Sequence, residues 1–346
     1  MRILHLRQSN DTVDTVYIRG LEENGAKVLS LYFKPNTRDL MMLARFYIKE
    51  RNNFDLIMVG FSSPQLAIFI SLISGKKVIY NATVSAYDRL IVSRNLASRF
   101  SIKAAYYLLL DFLAAHFSDL TLVESNHQAE FFKKNFKISP EKLYRAWIGV
   151  DESKFFYDPA VRKFDSFTVL FRGALLPEAG AEYAVRAAKI LEDKNIKFII
   201  IGGGQETDKI SKLIEALKPS NLEWIKDFLP QDKLRETMQK SHLILGQLSN
   251  HPRLIRTVPY KAFESLAMRL PYLTASNAGI LELLKAGETC LTCNPADAQS
   301  LAEKILWAKN NYPLAEKIAE NGYRMYQDKL RPRILAKNLL DRMVAL

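Results

Sequence analysis

Short apolar strands alternate with helical segments along most of this chain, and that alternation is what most limits its fold. Each buried-type strand ends in a polar turn or a glycine, and a segment with helical spacing follows. In the first half the predicted strands lie at residues 3–6, 27–31, 56–59, 77–80 and 120–123. Strands that alternate with helices in this way form parallel, doubly wound sheets. We therefore predict the α/β class.

A second series of strands and helices follows a break in the pattern at residues 147–159. Its predicted strands lie at residues 168–172, 197–201, 222–225, 242–245 and 272–275. The chain has 346 residues, about twice the usual length of one domain. We predict domains at 1–160 and 161–330, and a separate C-terminal helix at 331–346 that begins after Pro332.

Several helices are predicted from apolar spacing alone. In the first half the longest is a single helix over residues 93–117, and a capped helix begins near Ser125. In the second half helices are expected at residues 180–193, 205–217, 231–239, 278–286, 297–309 and 313–328.

The chain is strongly basic, with a formal net charge of +12. Such a charge favours an anionic partner, which can be nucleic acid, an acidic lipid surface or a phosphorylated small molecule. The basic residues are scattered and form no run of five or six, so we predict that nucleic acid is not the partner.

The two cysteines, Cys290 and Cys293, form a lone C-x-x-C with no further metal ligands at matching spacing. Their flanks look like strand or loop, whereas a redox pair prefers a helix start, so we expect structural residues in a reducing compartment and no metal. A redox pair is the alternative. No signal peptide is visible, and the longest apolar run, 104–117, carries Asp111 and is too short to span a bilayer. We expect a cytoplasmic protein, soluble or at most peripheral to the inner face of a membrane.

Residues 256–274 read as a helix start, an amphipathic helix and a buried strand. Thr257 is the expected N-cap and Pro259 the expected first helical residue. Lys261 and Glu264 share a face of this helix, beside free N–H groups and the positive end of the dipole. This arrangement can hold a phosphate through Lys261 and sugar hydroxyls through Glu264. The alternative is an ordinary capped helix with a solvated Lys–Glu pair.

Ligands of open α/β sheets bind outside the carboxyl ends of the strands, and four such ends in the second half carry unusual residues. Glycine permits close backbone approach and arginine can bind a phosphate with two hydrogen bonds, while a flat base can lie on apolar side chains. The candidates are Arg172 with Gly173, then Gly202, Gly203 and Gly204, then Phe228 and Leu229, and finally His251, Arg253 and Arg256. Each end can also be an ordinary surface turn. Together they predict a site for a pyrophosphate and a ribose, and no Ser/His/Asp triad competes with it.

The second half also resembles a known family in its motifs. The order Val-Leu-Phe-Arg-Gly, Pro-Glu-Ala-Gly, Ile-Ile-Ile-Gly-Gly-Gly and Val-Pro-Tyr-Lys-Ala-Phe-Glu-Ser-Leu-Ala is similar to the donor half of GT-B glycosyltransferases, and more narrowly to retaining glycosyltransferase family 4. The resemblance is strong over residues 145–310 and looser before them.

This resemblance implies two Rossmann-like domains that face a cleft, with a nucleotide-sugar donor on the second and an acceptor on the first. It also implies that the C-terminal helix at 331–346 packs back on the first domain. It implies a hexosyltransferase-like enzyme that retains anomeric configuration, needs no metal and uses a nucleoside diphosphate sugar as substrate. Arg172 and Lys261 are then the expected catalytic cations. The expected donor-binding residues are Gly173, Gly203, Gly204, Phe228, Leu229, Arg253, Arg256 and Glu264.

Three positions depart from the family pattern. Ala174 and Ala179 stand where the family usually has an arginine and a lysine on the donor phosphates. Arg256 stands in place of the first of two glutamates, of which Glu264 is the second. The positive charge at the donor phosphates must then come from Arg172, Arg253, Arg256 and Lys261. A binding or regulatory protein on the same fold is therefore the alternative function. A dinucleotide-dependent oxidoreductase ranks last, because the first strand is not followed by a glycine motif.

In the first half, the expected acceptor side chains follow two strands. Asp88 is expected to orient an acceptor hydroxyl, and Ser9, Asn10, Asn81 and Ser85 to bind the acceptor, a glycan or a lipid-linked sugar. The alternative is a polar loop that caps the next helix.

Residues 89–107 interleave basic with large apolar side chains. Such a helix can lie on an anionic membrane surface, or its apolar side can belong to the core. The basic members are Arg89, Arg94, Arg99 and Lys103, and the apolar members are Leu90, Ile91, Leu96, Phe100, Ile102, Tyr106 and Tyr107.

Overall fold

The computed structural model describes residues 1–9 and 11–346. They form two compact units, one of Met1–Asp151 with Leu330–Leu346 and one of Glu152–Lys329. The predicted boundary at 160/161 lies a few residues inside the second unit, and the C-terminal helix belongs to the first. The predicted acceptor residue Asn10 lies outside the described residues.

The first unit contains a six-stranded parallel sheet in the order β2-β1-β3-β4-β5-β6. Its strands are β1 Arg2–Arg7, β2 Lys27–Tyr32, β3 Leu56–Val59, β4 Val78–Thr83, β5 Leu120–Val123 and β6 Leu143–Arg145. Its helices are α1 Thr12–Glu23, α2 Thr37–Glu50, α3 Pro64–Ile73, α4 Ile102–Phe117, α5 Asn126–Phe136 and, at the C-terminus, α13 Pro332–Val344. The short strand β6 was not predicted from the sequence.

The second unit contains another six-stranded parallel sheet, in the order β12-β11-β10-β7-β8-β9. Its strands are β7 Phe167–Arg172, β8 Ile196–Ile201, β9 Leu222–Ile225, β10 Leu243–Leu245, β11 Tyr272–Ala275 and β12 Leu291–Cys293. Its helices are α6 Ala181–Ile190, α7 Thr207–Leu217, α8 Gln231–Lys240, α9 Tyr260–Ala267, α10 Ala278–Leu281, α11 Ala298–Asn310 and α12 Tyr312–Lys329.

Both sheets confirm the predicted α/β class. Central strands such as β3, β5 and β10 are buried at every residue, because helices cover both faces of a parallel sheet. Each unit has its own core, one built around Ile57 and Phe132 and the other around Phe171 and Leu245.

The single helix predicted over residues 93–117 is wrong. A π-helical turn at Asp88–Ser93 and the helix α4 replace it, and residues 94–101 connect the two. Asn95 adopts a left-handed φ of 49°, which no helix continues through. The Ser101 hydroxyl then donates to the Ser98 carbonyl and caps α4 by accepting from the Ala104 N–H.

The predicted start of the helix after residue 256 is one residue too early. Pro259 is the N-cap of α9 rather than its first residue, and Thr257 does not cap it. The helix ends at Ala267, because Arg269 takes a left-handed φ of 56°. The helix predicted over 278–286 is only the four-residue α10, and residues 282–283 continue it only as a turn.

No helix among residues 1–9 and 11–346 is long and apolar enough to cross a membrane.

Candidate functional site

In the second sheet the strand order reverses between β7 and β10. These two parallel strands are neighbours in the sheet, although β8 and β9 separate them in the chain. Numbered within the unit, its order is the 3-2-1-4-5-6 of the doubly wound dinucleotide folds. Ligands of such sheets bind at this reversal, beyond the carboxyl ends of the two strands. Arg172 ends β7 here, and the loop after β10 leads to α9.

Arg172 and Glu264 form an ion pair, with side chains that are 11% and 9% exposed. The Arg172 guanidinium also lies over the Phe155 ring, 5.5 Å from its centroid. Burial lowers the pKa of Arg172 to about 10, so it stays charged at neutral pH. The spacing-based alternative of a solvated Lys–Glu pair is wrong, because Lys261 and Glu264 are both buried and the glutamate is bound to an arginine.

Lys261 is the least satisfied cation of this group. Its side chain is buried, and its Nζ has no hydrogen-bond partner among the described residues. The Nζ lies 4.2 Å from the centroid of the Phe171 ring. Burial, and then the charge of Arg172, lower the pKa of Lys261 to about 7. A buried ammonium without an acceptor costs free energy, so an anionic oxygen beside Nζ would be stabilising.

Gly173 brings the backbone close to Lys261. Its φ is 119°, and a β-carbon there would lie 3.2 Å from Lys261 Cε. A β-carbon on Gly202, whose φ is 115°, would lie 2.5 Å from the Gly173 carbonyl oxygen. The Leu175 N–H donates to the Gly203 carbonyl at 3.1 Å. These contacts hold the turns after β7 and β8 together, and only glycine permits them at Gly173 and Gly202.

Phe228 presents an exposed ring next to the glycine turn. It is 65% exposed, and its Cε1 would lie 3.3 Å from a β-carbon on Gly202. Leu229 beside it is partly buried. An exposed flat ring at this strand end is the kind of surface on which a base can stack.

Glu178 was missed as a site residue by the sequence analysis. It is 2% exposed and accepts a 2.5 Å hydrogen bond from Arg253 Nη1. Its carbonyl accepts from the Ser249 hydroxyl at 2.9 Å. The pair fixes Arg253, which lies in the 3₁₀ turn Pro252–Ile255. The charge of Glu178 also raises the pKa of Lys261, against the larger lowering by burial. The only sequence signal was an acidic residue inside a Pro-Glu-Ala-Gly turn. Arg256, at the end of this turn, is partly buried.

The predicted acceptor residues of the first unit lie in hydrogen-bonded positions, apart from the exposed Ser9. The Asn81 amide donates to Asp14 Oδ1 at 3.1 Å, and the Ser85 hydroxyl donates to Asp111 Oδ2 at 2.8 Å. Asp88 is 1% exposed, and its N–H donates to the Ser85 hydroxyl oxygen. These contacts tie β4 and the loop after it to α1 and α4. The acceptor-binding roles stay predictions.

Two buried carboxylates, which the sequence analysis also missed, bind the loops after β3 and β4. Burial raises the pKa of both Asp14 and Asp111 to about 6. Asp14 accepts from the Phe61 N–H, and Asp111 from the N–H groups of Ala86 and Tyr87. Both carboxylates therefore fix backbone N–H groups of the two loops.

Cys290 and Cys293 are free and buried, as expected for structural residues. Burial raises the pKa of each thiol to about 12, which leaves them unreactive. Within the described part of the chain, no group of three or more His, Cys, Asp and Glu side chains is placed to hold a metal ion.

Comparison with known proteins shows which family the second unit is similar to. Residues 156–325 match the model of the glycosyl transferases group 1. The chain is 25% identical over 182 residues to 2-deoxystreptamine N-acetyl-D-glucosaminyltransferase of Niallia circulans, which covers 50% of this chain and 44% of that protein. It is 26% identical over 156 residues to alpha-D-kanosaminyltransferase of Streptomyces kanamyceticus, covering 44% and 39%. The chain thus matches less than half the length of these relatives.

Solved structures share the fold over the whole chain. HepE of Anabaena, in its complex with UDP-glucose, superposes with a TM-score of 0.76 and 16% identity over 100% of both chains. WaaG, a glycosyltransferase involved in lipopolysaccharide biosynthesis, superposes with a TM-score of 0.66 and 15% identity over 99% of both chains. At these identities the likeness shows the fold, which is the predicted GT-B architecture. Residues 156–325, which lie in the second unit, thus match the group 1 glycosyl transferases.

Proposed function

We propose that this protein is a retaining glycosyltransferase, which moves a sugar from a nucleoside diphosphate sugar to a glycan or lipid-linked acceptor. One observation carries the proposal. Arg172, Lys261 and Glu264 meet at the strand-order reversal of a Rossmann-type sheet, inside the region that matches the family.

The donor would bind through its diphosphate and its ribose. Arg172 directly precedes Gly173, and a β-carbon on that glycine would lie 3.2 Å from Lys261 Cε, so both cations stand at this turn. Glu264 accepts hydrogen bonds from the ribose hydroxyls once the donor takes over part of its contact with Arg172. Phe228 supports the base. HepE has been solved with UDP and with UDP-glucose, so a uridine diphosphate donor is the first to test.

The chemistry needs little from the protein beyond charge. The bond between the anomeric carbon and the donor phosphate oxygen breaks, and the acceptor hydroxyl oxygen bonds to that carbon. The acceptor proton passes to the departing phosphate oxygen, so no enzymic base is needed. Charge accumulates on the diphosphate as it leaves, and Arg172 and Lys261 stabilise it there.

Arg253 and Arg256 would supply the remaining positive charge at the donor phosphates. Ala174 and Ala179 stand where the family usually has cations, so the charge has to come from elsewhere. Arg253, which Glu178 holds, lies in the turn that leads to α9, and Arg256 ends that turn. A cation fixed by a buried carboxylate is already ordered when the ligand arrives, which lowers the entropic cost of binding.

Thermal shift against a panel of nucleoside diphosphates and their sugars tests the donor, because a ligand of the folded form raises the melting temperature. The donor selected in this way is then incubated with membrane extract as the acceptor source, and release of nucleoside diphosphate is followed. Release that depends on extract and is lost in Arg172→Gln supports transfer. Donor binding without any release would favour the alternative, a nucleotide-sugar binding or regulatory protein. Absence of binding to every nucleotide would refute the proposal.

The cytoplasmic location, the choice of acceptor and the acceptor role of Asp88 stay predictions.

A further inference from the structure

The outward side of α4 carries large apolar side chains where a surface helix normally carries polar ones. Ile102 is 91% exposed, Tyr106 48%, Leu109 54% and Phe112 37%. Their spacing of three and four residues places them in one stripe along the helix. The opposite side of α4 is buried and packs against α3. The stripe is therefore not the core face of the helix.

The segment just before α4 extends this apolar surface. Phe100 is 100% exposed and Leu96 is 47% exposed. Moving a phenylalanine side chain from water into an apolar environment is strongly favourable. A ring held wholly in solvent, beside a helix with an exposed apolar stripe, marks a surface that meets another apolar phase.

The exposed charges within the segment from Arg94 to Phe112 are all positive. Arg94, Arg99 and Lys103 are exposed and lie among the apolar residues. The sequence has no acidic residue from Arg89 to Leu110, and the next one, Asp111, is buried. Exposed helices elsewhere in the protein, such as α8, pair their lysines with glutamates.

Arg89 does not belong to this group. Its guanidinium donates to the Ser62 hydroxyl and lies 5.5 Å from the Phe61 ring centroid. Ile91 is buried. The basic and apolar helix expected over residues 89–107 is therefore wrong in its extent, and the exposed surface begins at Arg94 and runs to Phe112.

We propose that this surface, residues 94–112, docks the protein on a lipid membrane with an anionic face. Phe100, Ile102 and the stripe on α4 enter the boundary between headgroups and acyl chains, while Arg94, Arg99 and Lys103 contact lipid phosphates. A protein partner would also cover apolar residues. The absence of acidic residues within the segment favours a negatively charged surface as the partner. Exposed aromatic and aliphatic side chains next to arginine and lysine are also the types that bind lipid interfaces.

Vesicle co-sedimentation of the full chain tests the proposal without donor or acceptor. Vesicles of phosphatidylcholine alone are compared with equimolar phosphatidylcholine and phosphatidylglycerol, at low and high salt. We expect binding to the anionic vesicles only, with a steep loss at high salt because exposed charges are screened.

Two variants separate the charge from the apolar contact. Arg99→Glu/Lys103→Glu should weaken binding at least about 25-fold, since each cation near such a surface contributes about fivefold. Phe100→Ser should weaken it about tenfold or more, and its side chain is fully exposed, so folding is not at risk. The charge-matched control is Lys212→Glu/Lys317→Glu, on exposed sites of α7 and α12. The apolar control is Val344→Ser, at a residue that is 72% exposed.

Loss of anionic-vesicle binding in both variants, with both controls unchanged, supports the proposal. Equal recovery in the supernatant for both lipids at low salt would overturn it, and so would losses of the same size in the controls. Sedimentation velocity tests the competing possibility, that a second copy of this chain covers the surface. Self-association that disappears in Phe100→Ser, without vesicle binding by the unaltered chain, would make the surface a contact between copies and would also overturn the proposal.

Discussion

The ionisation of Lys261 makes ligand binding depend on pH in a defined direction. Burial and the neighbouring Arg172 lower the pKa of Lys261 to about 7 in the ligand-free protein. A bound diphosphate favours the charged ammonium, so the pKa rises on binding. Between pH 7 and the higher pKa of the complex, the bound form holds more protons than the free form. Affinity for a nucleoside diphosphate must therefore fall as the pH rises through this window.

The size of the effect follows from the fraction of protein that carries the proton. That fraction is about one half at pH 7, about one tenth at pH 8 and about one hundredth at pH 9. If only the charged form binds well, the apparent dissociation constant scales inversely with this fraction. Affinity then falls about 50-fold between pH 7 and pH 9. Binding at pH 8 takes up about 0.9 proton per ligand, and the diphosphate is itself fully ionised there.

Isothermal titration calorimetry in two buffers with different ionisation enthalpies measures this proton uptake. Lys261→Met fills the same buried space without charge and should bind weakly, with no proton uptake and no fall in affinity above pH 7. Arg172, with a pKa of about 10, stays charged through pH 8 and does not mimic the effect. A flat affinity between pH 7 and pH 9, without proton uptake, would refute the placement of Lys261 against the diphosphate.

Three further substitutions test the neighbouring contacts. Glu264→Gln should weaken nucleoside diphosphate binding by about 1.5–3 kcal/mol through lost charge-assisted hydrogen bonds to ribose, and unchanged calorimetric affinity would exclude the ribose role. Gly173→Ala should lower the free energy of unfolding in urea by about 1–3 kcal/mol, because its φ of 119° suits only glycine, whereas Gly75→Ala, with open space around it, should change it by less than about 0.5 kcal/mol. Glu178→Ala should cost about 3–5 kcal/mol of unfolding free energy by breaking the buried ion pair with Arg253, against less than about 1 kcal/mol for Glu236→Ala in an exposed pair. Equal costs for the two glutamates would mean that the Glu178 pair adds nothing.

The sheets could be predicted because their strands carry local signals. Leu56–Val59 and Tyr272–Ala275 are short apolar runs with polar or glycine boundaries, and both were predicted residue for residue. The prediction of a single helix over residues 93–117 was wrong for a local reason too. Helical spacing continued through the segment, while Asn95 and the hydrogen bonds of Ser101 set the real boundary.

The contacts of the site could be predicted only in part. The sequence placed Arg172, Lys261 and Glu264 near the same sheet edge, because parallel strands share that edge. It could not show that Arg172 rather than Lys261 pairs with Glu264, since this depends on how β7 and α9 pack. Glu178 escaped notice because a glutamate in a turn is usually solvated, and only the folded chain buries it against Arg253.

The most direct test of the central claim is calorimetric binding of the nucleoside diphosphate selected by thermal shift, at pH 7, to the unaltered chain and to two arginine variants. Arg172→Gln removes the charge at the end of β7, while Arg186→Gln removes a matched charge from an exposed position on α6. Loss of a charge-assisted contact predicts a dissociation constant about 10- to 150-fold higher for Arg172→Gln and unchanged for Arg186→Gln, with far-ultraviolet circular dichroism confirming that both variants fold. Binding by Arg172→Gln as tight as that of the unaltered chain would contradict the account.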